Sequence, residues 1–194
     1  MTASAAADGT WPTDSARGPQ LPPVAVVDID GVVADVRHRV RHLHEHPPDW
    51  AGFFGDAALD PPLSVGIARV HELVASGHEV VWLTGRPEWL RGVTEDWLVA
   101  AGLPVGRLLM RPMRDRRPAR VLKSGAVRAL AAGEPVFGGA AGPARRIALV
   151  VDDDDAVVAR LRTDGWDVEH ADWVGLSTPG AQRLATAQEH EGRT

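Results

Sequence analysis

Four short runs of apolar residues, at 24–28, 79–83, 107–110 and 146–151, are separated by longer stretches of mixed character. Within the runs the apolar residues are mostly continuous rather than alternating, as in Val24-Ala25-Val26-Val27 and Ile147-Ala148-Leu149-Val150-Val151. Such runs predict strands covered on both faces, which is the environment of a parallel sheet. Between them, Leu63, Ile67, Val70 and Val74 recur at helical spacing and predict a helix over 61–76, with Pro62 in its first turn and Gly77 closing it. Further helices are predicted from Pro87 to about Ala101, over 118–131 and over 156–163, with a last short strand over 167–170. Strands alternating with helices imply an α/β fold: a Rossmann-like parallel sheet with helices on both faces.

Three stretches break the pattern. Residues 1–23, rich in Ala, Ser, Thr, Gly and Pro, read as a disordered leader. Residues 35–62 are polar and read as a short helix and loop inserted after the first strand, a small cap. Residues 176–194 read as a polar tail, which leaves 24–175 as one domain; the Gly/Ala/Pro segment 134–144 has no readable shape.

At 194 residues and 44% hydrophobic content the chain can bury a core. It has no run long enough to span a bilayer and no signal-peptide pattern. It has no cysteine, which excludes disulfides and thiolate metal sites and makes a cytoplasmic location the expectation. A net charge of −5 argues against indiscriminate nucleic-acid binding while permitting a local basic face.

The strands end in polar groups. Asp28 and Asp30 follow the first, Thr84-Gly85-Arg86 the second, and Asp152-Asp153-Asp154-Asp155 the fourth. In parallel sheets the ligand site lies beyond the carboxyl ends of the strands, so these groups belong to one site. Burying a carboxylate costs several kcal/mol unless it is paired or bound to a metal. The Asp-Ile-Asp-Gly string also admits a plain reading as a capped turn.

Together, Asp28-Ile29-Asp30-Gly31-Val32, Thr84-Gly85-Arg86, Lys123 and Asp152-Asp153 resemble, in order and placement, the motifs of the haloacid dehalogenase (HAD) superfamily of aspartate-nucleophile phosphatases. Local strings are similar to the 3′-phosphatase module of bacteriophage-type polynucleotide kinase: Thr84 to Glu88, Leu109-Met110-Arg111, Asp115 to Arg117 leading to Val121-Leu122-Lys123, and Asp49-Trp50. The resemblance implies a HAD-like fold and Mg²⁺ held by Asp28, Asp152 and Asp153 with the backbone carbonyl of Asp30. It implies Asp28 as nucleophile, Asp30 as general acid–base, Thr84 and Lys123 around the phosphoryl group, and substrate contacts from Gly85, Arg86, Arg117 and Arg39. It implies a phosphorylated substrate, a nucleic-acid 3′ end or a nucleotide; a small phosphorylated metabolite is the alternative, and a non-catalytic binding module the third reading. The module's aspartate four residues before the lysine is replaced by Ala119, with Asp115 the available substitute. No kinase P-loop string is present.

Other residues carry plainer readings beside functional ones. Thr84 suits a helix N-cap, Lys123 a solvated helix position, and Arg39 the surface of the insert. Asp154 or Asp155 suits the cap of the following helix. His38, His42, His44 and His46 suggest zinc, but no Cys or suitably placed acid accompanies them, which favours a solvated, substrate-facing insert. Arg107, Arg111, Arg114, Arg116, Arg117, Arg120 and Lys123, set against Asp115 alone, form either a solvated helix entrance or a basic rim for a polyanion. Trp89 and Trp97, eight apart on one predicted helix, are expected in the core.

Overall fold

The computed structural model describes residues 21–173. The expected tail and all but the end of the expected leader lie outside these residues.

Five parallel strands form one sheet: β1 (Val24–Val27), β2 (Glu79–Pro87), β3 (Arg107–Arg111), β4 (Ile147–Asp152) and β5 (Val168–His170). Their order is β3-β2-β1-β4-β5. The chain runs outward from β1 to β3, then crosses to β4 on the other side of β1. The crevice between the carboxyl ends of β1 and β4 is therefore the topological switch point, where sheets of this kind bind ligands.

Continuous apolar strands are explained by the two cores. Val24 and Val26 face α4 (Ala119–Ala132) and α5 (Asp155–Thr163), with Val81, Leu83, Leu109 and Val150. Ala25 and Val27 face the other way with Val80, Trp82, Leu108 and Met110, against α2 (Ser64–Ala75) and α3 (Arg91–Ala100). All four residues of β1 are buried, and each valine so buried contributes about 1.5–3 kcal/mol.

The insert folds as a 3₁₀ helix at Arg37–His44, α1 (Trp50–Gly55) and a 3₁₀ turn at Asp56–Leu59. Asp49 caps α1 by accepting from the Gly52 N–H at 2.9 Å. Its apolar residues Leu43, Trp50, Phe53, Phe54 and Ala57 join the same core as Val27, Ile29 and Trp82. The apolar side of the insert is thus part of the main core.

One boundary differs from the sequence expectation in a way that shapes the site. The predicted helix start at Pro87 is still strand: β2 continues to Pro87, with a register shift against β3 between Thr84 and Pro87. Proline disfavours helical backbone in the residue before it, which holds Arg86 extended. The chain then makes a 3₁₀ turn at Glu88–Leu90 before α3 begins.

Candidate active site

The carboxyl ends of β1 and β4 bring Asp28 and Asp152 together across the switch point. Lys123, from the second turn of α4, reaches between them: its Nζ is 2.8 Å from Asp28 Oδ2 and 2.7 Å from Asp152 Oδ2. All three are buried. Lys123 is therefore not a solvated helix lysine; its neighbours on the helix, Leu122 and Ala126, are core residues and carry it inward. Asp153 completes the group, with one carboxylate oxygen from each of Asp28, Asp152 and Asp153 lying within 4.8 Å of the others.

With all three carboxylates ionised against one ammonium, the group would carry an uncompensated double negative charge. Its electrostatic signature is clear. Burial raises the Asp28 carboxyl to about 7, opposed by Lys123 and reinforced by Asp152 and Asp30. Asp153 is pushed well above the usual carboxylate range by burial and by Asp28 and Asp152. Lys123, despite burial, is raised by the same two aspartates and stays charged. Asp28 Oδ1 and Asp153 Oδ1 are buried without a hydrogen-bond partner. Hard, unpaired oxygens carrying two excess charges match a divalent cation such as Mg²⁺. Gly31 gives this corner its shape: with φ of +76°, a Cβ there would sit 1.8 Å from Asp153 Oδ2.

Asp30 turns away from this centre into a second, neutral cluster. Its Oδ1 accepts from Arg39 Nη2 at 2.7 Å and from Arg86 Nε and Nη2 at 2.9 and 2.6 Å. Against burial, which would raise it, the two guanidinium groups hold the Asp30 carboxyl below its usual range. Asp60 is the fourth member: it accepts from Arg39 Nε at 2.8 Å and Nη2 at 2.9 Å, and from Arg86 Nη2 at 2.7 Å. His38 Nε2 lies 2.8 Å from the same carboxylate. Arg39 also lies over the Phe53 ring, 4.3 Å from its centroid. Its side chain is fully buried, which overturns the surface reading. Asp60 escaped the sequence reading because it closes a polar insert without periodicity. The cue was an acidic residue fixed by two following prolines.

The remaining residues fall as follows. Thr84 is buried inside β2, and its Oγ1 accepts the Arg86 N–H at 3.1 Å; it is not a helix cap. Asp154 caps α5, accepting from Ala156 and Val157 at 2.8 and 3.2 Å. Arg117 is not brought to the acidic centre: it is exposed and paired to Asp115. That pairing engages Asp115 at the rim, while Ala119 is buried in the first turn of α4. Among the histidines, His38 serves Asp60 and His42 pairs with Asp49 and Asp56, so these two brace the insert instead of lying solvated. Trp97 is in the core and donates to the Asp60 carbonyl at 2.8 Å, but Trp89 is 53% exposed, contrary to expectation. The two are not on one helix, because the 3₁₀ turn that carries Trp89 precedes α3.

The family model of the polynucleotide kinase PNKP phosphatase domain matches residues 22–173. Among solved structures, one titled the Pnkp1/Rnl/Hen1 RNA repair complex is similar at 19% identity and a TM-score of 0.60, covering 79% of this chain and 43% of that one. A second, of the Pnkp1/Rnl/Hen1 complex, gives 21% and 0.57, covering 85% and 51%. The class C acid phosphatase from Bacillus anthracis gives 16% and 0.52, covering 86% and 78%. The chain thus spans about half the length of the first two. No curated protein matches it significantly. No helix among the described residues is long and apolar enough to cross a membrane. The match over nearly all the described residues shows that the chain belongs to the family of PNKP phosphatase domains, phosphoric monoester hydrolases of the HAD superfamily.

Proposed function

We propose that the protein is a Mg²⁺-dependent phosphomonoesterase that works through an aspartyl-phosphate on Asp28 and acts on a polynucleotide 3′-phosphate or a nucleotide. The observation that carries this reading is the buried trio Asp28, Asp152 and Asp153, bridged by Lys123 and left with two unpartnered oxygens. Asp28, Asp152 and Asp153 would hold the ion, which supplies positive charge against the phosphate dianion and the carboxylate that attacks it.

The chain's own residues divide the rest. Asp28 attacks phosphorus in line with the leaving oxygen. Lys123 neutralises charge on the nucleophile and on the transferring group. Asp30 Oδ1 is occupied by Arg39 and Arg86, which leaves Oδ2 for proton transfer. It protonates the leaving alkoxide and then takes a proton from the water that opens the acyl phosphate. Thr84 and the Gly85 backbone line the phosphoryl position. Arg86 Nη1 is buried without a partner and is the guanidinium nitrogen available to a phosphoryl oxygen. Arg39, whose donors serve Asp30 and Asp60, positions Asp30 instead of touching substrate.

The preference for a polynucleotide end rests on the family match and on the arginines of the rim, of which Arg116 and Arg117 are exposed. The likeness to a protein from an RNA repair complex agrees with that setting. A panel of phosphate esters tests it. A 3′-phosphorylated oligonucleotide is expected to exceed simple sugar phosphates in kcat/KM; the reverse order would favour a small phosphorylated metabolite.

A further inference from the structure

Between the insert and the residues that follow β2 and β3 lies an open cleft of about 290 Å³ lined by Trp50, Phe54, Pro87, Trp89, Arg111, Asp115 and Arg116, among others. Its walls grow from the elements that hold the site. Pro87 directly follows Arg86 in β2. Phe54 follows Phe53, whose ring lies under the Arg39 guanidinium. Arg111 pairs with Pro87 in the sheet, and its Nε donates to the Gly85 carbonyl at 3.4 Å. The cleft is therefore joined through Pro87 and Arg111 to Arg86 and Gly85, which are assigned to the phosphoryl group, and through Phe54 to the support of Arg39.

One wall is aromatic and stepped. Trp50 and Phe54 stack at 5.8 Å, and Phe54 meets the Trp89 ring edge-on at 6.1 Å and 86°. Trp89 stays half exposed, whereas Trp97 is buried and spends its indole N–H on Asp60. The lining also carries charge: Arg116 is exposed and makes no ion pair among the described residues, Arg111 is buried, and Asp115 is paired to Arg117. A half-exposed indole and an exposed guanidinium lining one cleft, with Pro87 next in sequence to Arg86, complement a flat π-system carried on a phosphate backbone.

We infer that this cleft is a nucleobase subsite, in which Trp89 stacks on the base of the 3′-terminal nucleotide while Arg116 faces the phosphodiester on its 5′ side. The inference deepens the proposed function and rests on its reading of the substrate. It assigns base-dependent affinity without base identity, because stacking is available to every base.

The test separates the two claims by measuring binding without turnover. The Asp28→Asn protein is titrated calorimetrically with a 3′-phosphorylated oligonucleotide and with the same strand lacking its 3′-terminal base, in ribo and deoxy forms. The base is expected to tighten binding by roughly tenfold. Adding Trp89→Ala should erase that preference, and Trp89→Phe should keep most of it. Equal affinity for the two strands, no binding of either, or a base preference untouched by Trp89→Ala overturns the subsite. Turnover is then measured on the unmodified enzyme. Base-dependent binding with no hydrolysis would overturn the proposed reaction and leave the subsite standing; hydrolysis with no base preference would do the opposite.

Discussion

Asp28 and Asp30 lie two residues apart in one turn, yet their carboxyl groups are held in opposite ionisation regimes. Burial beside Asp152 raises Asp28 to about 7, while Arg39 and Arg86 keep Asp30 low. The two environments suit different parts by geometry and charge. A carboxylate with excess negative charge around it calls for a cation; one clamped by two guanidinium groups on a single oxygen is oriented for proton transfer through the other.

The division predicts different consequences for the two substitutions. Asp28→Asn is expected to abolish hydrolysis of an aryl phosphate while melting at or above the wild-type temperature, because it removes one of the mutually repelling charges. Asp30→Asn should lower kcat by roughly 10²–10⁴ and leave its two arginines short of an anion, with a lower melting temperature. Steady-state kinetics and thermal melts on the two variants check this; persistent turnover by Asp28→Asn refutes the nucleophile assignment.

The raised carboxyl groups also set a pH dependence of stability. Asp28 binds its proton more tightly folded than unfolded, where its value is near 3.8. Its contribution is fully present below 3.8 and is lost as pH rises to about 7. Asp153, raised in the same direction, adds to the loss. Carboxyl groups held low, such as Asp30 and Asp115, act with the opposite sign but below that window. The EDTA-treated protein should therefore lose stability between about pH 4 and 7, and millimolar Mg²⁺ should restore the melting temperature most at the upper end. A Mg²⁺ effect that is equal at both ends would contradict the assignment of the ion to these aspartates.

Asp60 carries a prediction of its own. Its carboxylate is fully buried and ties both arginines to the insert. Asp60→Ala leaves two buried guanidinium groups sharing Asp30 alone and should cost about 3–5 kcal/mol. Asp60→Asn keeps the shape and should cost less, while still lowering kcat through misplaced Asp30. Chemical denaturation with parallel kinetics distinguishes the two; an unchanged kcat in Asp60→Asn would reduce Asp60 to a structural tie.

Gly31 offers a check on the shape of the acidic corner. Gly31→Ala places a methyl group against Asp153 Oδ2 and requires a positive φ of an alanine. The substitution should weaken Mg²⁺ binding, read by calorimetry, more than substitution of Gly66, where an added Cβ would meet the Val32 carbonyl instead of the acidic trio.

How much of this was legible beforehand follows from where each residue sits. Asp28, Thr84, Arg86 and Asp152 could be placed together because apolar strands ending in polar groups share one sheet edge. Lys123 was legible only by resemblance, since nothing in helical spacing separates an inward lysine from a solvated one. The neutral cluster was half visible. Asp30, Arg39 and Arg86 stood in recognisable motifs, but Asp60 comes from an aperiodic stretch whose 3₁₀ turns leave no hydrophobic signature. The exposure of Trp89 was hidden by the extension of β2 to Pro87, which moved the tryptophan off the helix that its spacing implied. The embedding of the insert in the main core was equally hidden, because its aromatics form one short run between Asp49 and Asp56 in an otherwise polar stretch, without the spacing of a long helix or strand.

The central claim is that Asp28 takes the phosphoryl group from a 3′-phosphorylated end. Rapid acid quenching of a single turnover with Mg²⁺ present, followed by peptide mass spectrometry, tests it most directly. The account predicts one phosphoryl group on the peptide bearing Asp28, appearing before free phosphate and absent in Asp28→Asn. Phosphate released at the full rate with no adduct on any aspartate would contradict it.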